Sequence, residues 1–274
     1  MGYDGGVPDT LTPFERRAIA LARFVNERPR VKAIQSRFHR GVTQRWVKAC
    51  LRNLLVIDGL ERVARYPRDR GILVCANHRS FFDQYAVMAI LLDEFPWLQR
   101  VFFPIRSGFF YETWAGIAVN ALIGGMAMYP PIFRDVSKSE HNRNAVAQVI
   151  EELKVPGTIV GMHPEGTRGK GPDPYELLPG QPGVGEVIMK ARPLVMPIFL
   201  NGLGNDFGAQ VLGNFGFGPR AGIPVVVCFG DPVDFGELME GRPRPAQYKR
   251  VADHLMGVIA QLGEREKAIR AGRI

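Results

Sequence analysis

The residue types able to carry out chemistry fall into two short clusters. The first is Asn77-His78-Arg79-Ser80-Phe81-Phe82-Asp83 and the second is His163-Pro164-Glu165-Gly166-Thr167-Arg168. In the first, Ser80 is a candidate helix N-cap, which puts Asp83 at the third position of a helix beginning at Phe81. A carboxylate there points back over the helix N-terminus, toward the loop that carries His78. A carboxylate on one ring nitrogen fixes the tautomer of an imidazole and raises its basicity. The other nitrogen is then free to take a proton from a hydroxyl, and a reference pKa of about 6.5 suits a histidine to that work. The same S-x-x-D pattern also reads as a plain capping box with His78 as an ordinary loop residue. In the second cluster, Gly166 and Thr167 let backbone N–H groups approach an anion, and Arg168 adds a fork matched to phosphate. Glu165 anchors the loop or orients the arginine. The plainer reading is a strand-to-loop turn with a solvated arginine.

The elements that must position these clusters alternate in type. Strands are expected at Leu54–Ile57, Ile72–Cys75, Val101–Ile105, Ala127–Phe133, Thr158–Met162, Leu194–Leu200 and Val225–Phe229. Helices are expected at Phe81–Glu94, Trp114–Leu122, His141–Leu153, Val184–Lys190 and Ala246–Arg270. This alternation predicts an α/β fold with a mixed, largely parallel sheet flanked by helices. Both clusters follow a strand, which is where such folds place their sites. The stretch Asn201–Gly222, with seven glycines and the aromatics Phe207, Phe215 and Phe217, reads as a long loop.

The 274 residues suffice for one large domain or two small ones, and 46% hydrophobic with 23% charged residues excludes a disordered or collagen-like chain. The net charge of +8 is unevenly placed. Residues 1–70 hold 15 Lys and Arg against 7 Asp and Glu, whereas residues 71–274 hold 20 of each. A basic segment on a neutral body implies an anionic partner. Residues 1–10 read as loose. Thr12-Pro13 starts a helix with Phe14, Ala18, Leu21, Ala22 and Val25 at helical spacing, and a second run places Val31, Ile34, Phe38 and Val42 on one face. Between residues 30 and 52 stand seven basic residues and no acid. That is the pattern of a basic amphipathic helix at an anionic membrane surface, or of a helix that packs its apolar side on the body. Residues 1–52 are therefore expected to be membrane-docking helices and residues 53–274 the catalytic domain. Thr113–Phe133 lacks charge, but its glycines and prolines favour a buried helix, a turn and a strand over a membrane span; a lipid-facing apolar surface that does not cross is the third reading. The basic run carries only Phe38 and Trp46 as aromatics and no nucleic-acid motif, so a nucleic-acid partner is not expected.

Cys50, Cys75 and Cys228 are widely spaced and form no CxxC; a reducing compartment is expected, with Cys75 a core thiol. His39, His141 and His254 read as surface or helix histidines, and no metal-ligand cluster is expected. Gly166-Thr167-Arg168-Gly169-Lys170-Gly171 lacks the spacing and the Ser/Thr of a P-loop.

Taken together, in this order and spacing, the two clusters resemble the glycerolipid acyltransferase family, whose best-known members are PlsC-like lysophosphatidic acid acyltransferases. Its N-H-x(4)-D block is matched by Asn77-His78 to Asp83, and its aromatic-P-E-G-T-R block by His163 to Arg168, with His163 where the family usually has an aromatic ring. Its apolar block around a proline is matched by Leu194-Val195-Met196-Pro197-Ile198. Its arginine-terminated block is best matched by Ile132-Phe133-Arg134-Asp135, preceded by Pro130-Pro131. The resemblance covers residues 53–235. It implies a membrane-associated O-acyltransferase in which His78 is the general base, supported by Asp83. The acceptor phosphate would be bound by Arg134, Glu165, Gly166, Thr167 and Arg168. The acyl thioester comes from acyl-CoA or acyl carrier protein, without a metal or other cofactor and without a Ser or Cys nucleophile. The default acceptor is 1-acyl-sn-glycerol-3-phosphate. Other acceptors (lysophospholipid, glycerol-3-phosphate, lyso-aminolipid or glycolipid) and a non-enzymatic lipid-binding role are the alternatives. Phe102, Phe103, Trp114, Met126 and Pro197 are candidates for the acyl pocket. The expected location is peripheral, on the cytoplasmic face of a membrane.

Overall fold

The computed structural model describes residues 10–273 apart from 65, 68 and 241. The expected loose start therefore lies, except for Thr10, outside the described residues. In chain order, α1 (Pro13–Glu27), α2 (Pro29–Phe38) and α3 (Gln44–Leu51) precede β1 (Leu55–Asp58), α4 (Leu60–Val63), β2 (Ile72–Ala76) and α5 (Asp83–Glu94). Next come β3 (Arg100–Phe102), β4 (Ile105–Arg106), α6 (Ser107–Phe110), α7 (Trp114–Leu122), β5 (Pro131–Ile132), α8 (Ser139–Leu153) and β6 (Thr158–Met162). The chain ends with α9 (Pro182–Ala191), β7 (Leu194–Asn201), α10 (Phe207–Asn214), β8 (Val225–Phe229) and α11 (Pro245–Arg270).

The main sheet runs β1-β8-β7-β2-β6-β3, with every pairing parallel except β7 with β8. Strands β2 and β8 are apolar and buried along their whole length, as strands covered on both faces must be. Cys75, on β2, is such a core residue, and burial pushes its thiol far above the usual range. Strands β2 and β6 are direct neighbours, with Cys75 level with Met162. This adjacency brings together the loops after β2 and β6, which carry the two clusters.

Three sequence expectations change. The strand expected at Val101–Ile105 is cut in two, because Pro104 has no N–H for a ladder. The strand expected at Ala127–Phe133 shrinks to Pro131–Ile132, paired with β4. Its buried approach instead bonds the Ala127 carbonyl to Phe103 N–H and Met128 N–H to Asn120. The expected long loop after β7 contains helix α10, whose N-cap is Asp206; the carboxylate accepts from Ala209 N–H at 3.0 Å.

The N-terminal helices hold the largest surprise. Helix α1 begins as expected, in a capping box between Thr12 and Glu15 with Pro13 at the first position. A short π-helical turn, His39–Thr43, joins α2 to α3. The face turned inward along this run is Lys32, Gln35, His39, Thr43, Gln44 and Val47, mostly polar, whereas Ile34 and Val42 face outward. The buried polar groups are matched to backbone carbonyls that the sequence pattern cannot reveal. Lys32 Nζ donates to Val101 O at 2.6 Å and to Asn26 Oδ1 at 2.7 Å, and it sits 3.6 Å from the Phe102 ring centroid. Gln35 donates to Gly125 O, and Arg40 to the carbonyls of Leu92, Phe95 and Leu98. His39 is thus not a surface histidine but a buried one, kept neutral by a pKa pushed down to about 3. Helix α7, expected to be buried, also turns apolar side chains outward: Trp114 is 76% exposed and Leu122 74%. No helix among the described residues is long and apolar enough to cross a membrane.

Candidate active site

His78 sits two residues beyond β2 and Asp83 opens α5. Asp83 is therefore the first residue of the helix rather than the third, after a turn at Phe81 and Phe82. The carboxylate still points back as expected. Asp83 Oδ2 accepts from Arg79 N–H and Ser80 N–H, each at 2.8 Å, and lies 3.0 Å from His78 Nδ1. With two backbone donors already on the carboxylate, His78 supplies the third hydrogen from Nδ1, and Nε2 is left as the proton acceptor. Burial raises Asp83 to about 6, and burial together with the Arg168 charge lowers His78 to about 4. Near neutral pH the pair is an ionised carboxylate beside a neutral imidazole, the state a base requires.

Asn77 explains how this loop is held at the strand end. Its side-chain amide donates to Leu200 O at 3.0 Å and accepts from Leu200 N–H at 2.7 Å, stitching the end of β2 to β7. Glu165 fixes the other side. Its Oε1 accepts from His78 N–H at 2.7 Å and its Oε2 from Leu178 N–H at 2.9 Å. Both oxygens of this buried carboxylate are thus committed to backbone donors. Of the two roles read for Glu165, anchoring the loop is the one its geometry serves; a direct contact with an anionic phosphate is not.

His163 is stacked on His78, ring centroids 3.7 Å apart and planes 8° from parallel. Its Nδ1 donates to Ala76 O at 2.9 Å, and burial lowers its pKa to about 3, so the stacked ring is neutral. His163 thereby supplies the flat face that an aromatic side chain would. Among the described residues, His78, Asp83 and His163 bring three possible metal-ligand atoms within 4.8 Å. Both Nδ1 atoms already have partners, that of His78 in Asp83 and that of His163 in the Ala76 carbonyl.

Gly166 turns the second cluster with φ +64°, and its N–H bonds His163 O. Gly169 N–H donates to His78 O, and a Cβ there would lie 2.8 Å from Arg79 Nη1, so the arginine head packs directly on this glycine. Arg168 lies over the Phe81 ring at 3.7 Å and donates to Asn205 Oδ1. A cavity of about 830 Å³ is lined by Arg79, Arg168 and Gly169, which neighbour the dyad, and by the Asn201–Asn205 segment. A second, small apolar cavity of about 20 Å³ lies between Trp46, Phe82, Tyr85 and Phe207.

The remaining sequence candidates are not brought to this place. Arg134 is exposed just beyond β5 and does not line the cavity, because the short β4–β5 ribbon stands apart from the main sheet. Phe102, Phe103, Met126 and Pro197 are packed in the core and Trp114 stands at the surface against Phe14; none lines either cavity. Sequence reasoning missed Arg79 as a cavity cation and Trp46 and Phe207 as walls. The only signal for Arg79 was its place between the histidine and the aspartate.

Residues 56–201 match the family model described as Acyltransferase, which is more than half of the chain, and no curated protein matches it. The matched span contains the dyad, the Glu165 anchor and the central strands β2, β6 and β7 that position them. The chain is an acyltransferase and belongs to the PlsC-like glycerolipid acyltransferase family.

Proposed function

We propose that this acyltransferase works at a membrane surface and moves a fatty acyl group from a thioester to a hydroxyl of 1-acyl-sn-glycerol-3-phosphate. The observation that carries the chemistry is the tautomer-locked His78–Asp83 pair, with an arginine-lined cavity beginning at the neighbouring residue Arg79. His78 Nε2 takes the hydroxyl proton as the acceptor oxygen attacks the thioester carbonyl. Asp83 stabilises the imidazolium so formed. The tetrahedral intermediate collapses with cleavage of the carbon–sulfur bond, and the imidazolium proton passes to the departing thiolate. One ester and one free thiol result, and no covalent acyl-enzyme is required. Arg168, with Arg79 beside it and the turn at Gly166 and Thr167, holds the acceptor phosphate.

Membrane association is supported by the inverted helix α2 and the apolar side chains exposed around it. Leu21, Phe24, Ile34, Val42, Trp114 and Leu122 are exposed apolar side chains on α1, α2, the π-helical turn and α7. Arg30, Arg37, Arg45 and Arg52 are exposed along the same run. Apolar side chains for the acyl boundary and arginines for lipid phosphates suit a monotopic enzyme on an anionic leaflet, at the cytoplasmic face. The test is an acceptor panel with one labelled acyl thioester, read by lipid mass spectrometry. Phosphatidic acid is the expected product, and His78→Ala is expected to abolish it while the fold is retained. Acylation of other lysolipids but not of lysophosphatidate would overturn the acceptor, and an active His78→Ala would overturn the mechanism.

A further inference from the structure

The segment that follows β7 is fastened to the dyad loop. Ser80 Oγ donates to Gly204 O at 2.7 Å, and the next residue, Asn205, makes three bonds from one side chain. Its Oδ1 accepts from Arg168 Nη1 at 2.8 Å and from Phe81 N–H at 3.3 Å, and its Nδ2 donates to Arg79 O at 3.3 Å. Two donors on the oxygen and one acceptor on the nitrogen fix which way the amide faces, because a flip sets its NH2 against two other donors. One side chain thus joins the loops after β2, β6 and β7. Arg220 packs on the same segment: it donates to Gly202 O, and a Cβ on Gly204 would lie 3.0 Å from its Cδ. Asn205 lies beyond residues 56–201, the span that matches the family model, so it belongs to none of the family's blocks.

An arginine that grips a phosphate gives up its rotamer freedom on binding, which weakens the grip unless the side chain is already ordered. Arg168 is ordered beforehand. Its guanidinium lies over the Phe81 ring at 3.7 Å, and one N–H is held by Asn205. That bond uses one of the five N–H donors of the fork, and a bidentate grip on phosphate takes two. The same Asn205 amide holds the carbonyl of Arg79, the residue next to His78, so the arginine is set at a fixed reach from the base. We propose that Asn205 is a positioning residue for the acceptor: it presets Arg168 relative to His78, and so sets the affinity for the acceptor phosphate without touching the reacting atoms. The inference rests on the acyl-transfer reading above, in which Arg168 holds that phosphate.

The test uses the full chain and a soluble short-chain 1-acyl-sn-glycerol 3-phosphate, with steady-state kinetics beside calorimetric binding. In Asn205→Ala the acceptor KM and the calorimetric Kd are expected to rise roughly fivefold, short of the roughly tenfold effect of a buried charged hydrogen bond, because Asn205 is exposed. The kcat and the KM of the thioester are expected to stay unchanged. Asn205→Asp keeps an acceptor for Arg168 but adds a charge that competes with phosphate for the same guanidinium, and it sets a carboxylate oxygen against Arg79 O. The acceptor is therefore expected to bind Asn205→Asp more weakly than Asn205→Ala, whereas a residue that only braced the loop gives no such order. An unchanged acceptor Kd in Asn205→Ala overturns the proposal. So does a loss carried by kcat or by the thioester KM instead, or an Asn205→Asp protein that binds the acceptor as tightly as wild type. If the acceptor binds and is not acylated, the acyl-transfer reading fails by itself and the binding comparison still decides the role of Asn205. If the wild-type protein acylates other lysolipids and does not bind this one, the proposal fails and acyl transfer stands.

Discussion

Asp83→Asn isolates the charge of the dyad from its geometry. All three hydrogen bonds to Asp83 converge on one oxygen, Oδ2, from His78, Arg79 and Ser80, and Oδ1 is buried without a partner. An asparagine oxygen placed where Oδ2 stands accepts all three, so the His78 tautomer and ring position survive. What disappears is the negative charge that, in the proposed mechanism, stabilises the imidazolium during acyl transfer. At a charge separation of about 4 Å and an effective dielectric of about 20 that attraction is about 4 kcal/mol, or roughly a thousandfold in rate. Burial already disfavours the ionised carboxylate, raising its pKa to about 6, and removing that charge offsets the cost of an amide NH2 buried without an acceptor where Oδ1 stands, so the thermal midpoint is expected to move by only a few degrees. Asp83→Ala is the contrast, because it strips the partner from two backbone donors and destabilises the loop by about 1–3 kcal/mol for each one left unsatisfied. The assay is steady-state turnover with a labelled acyl thioester, alongside thermal denaturation of the same preparation. A folded Asp83→Asn enzyme within tenfold of wild-type kcat would refute the assignment of charge stabilisation to this carboxylate.

The pH dependence follows from the same pair. The proposed mechanism needs Asp83 ionised and His78 neutral; burial raises the first to about 6 and lowers the second to about 4, so kcat/KM should fall as pH drops through about 6, with Asp83 limiting. A pH–rate profile with no acid limb above pH 5 would contradict this order. Glu165→Gln offers one carbonyl where two backbone N–H groups need acceptors, so kcat should drop and stability should fall by about 1–3 kcal/mol in urea titration, with the acceptor KM little changed. Ile34→Glu and Leu122→Glu change exposed side chains, 62% and 74% accessible, and should release the protein from anionic vesicles in flotation while activity on a soluble short-chain acceptor persists. Equal flotation by wild type and variants would remove these helices from the docking surface.

The strand-and-helix alternation was legible because each buried strand or helix carries its own local hydrophobic signature. Strands β6 and β8 fell where the pattern placed them, as did α7, while Pro104 and Pro130-Pro131 cut short the two strands that hydrophobicity alone suggested. Both chemical clusters were legible for a related reason, since each is a contiguous run whose spacing is set by one strand end and one turn. The chain by itself determined that His78 precedes a carboxylate at the right reach, that the fold is α/β, and that the charge excess lies near its start. Only the tertiary structure decided what depends on partners distant in sequence. It turned the polar side of α2 inward, because unpaired carbonyls such as Val101 O and Gly125 O wait there for donors, and so left the apolar side facing out. It committed Glu165 to two backbone donors, one from each of two separate loops. It gathered Arg220 and Arg270, fifty residues apart and in no motif, around one pair of backbone carbonyls at the edge of the cavity. Local pattern records what a segment buries on average; which group meets which is a property of the packed chain alone.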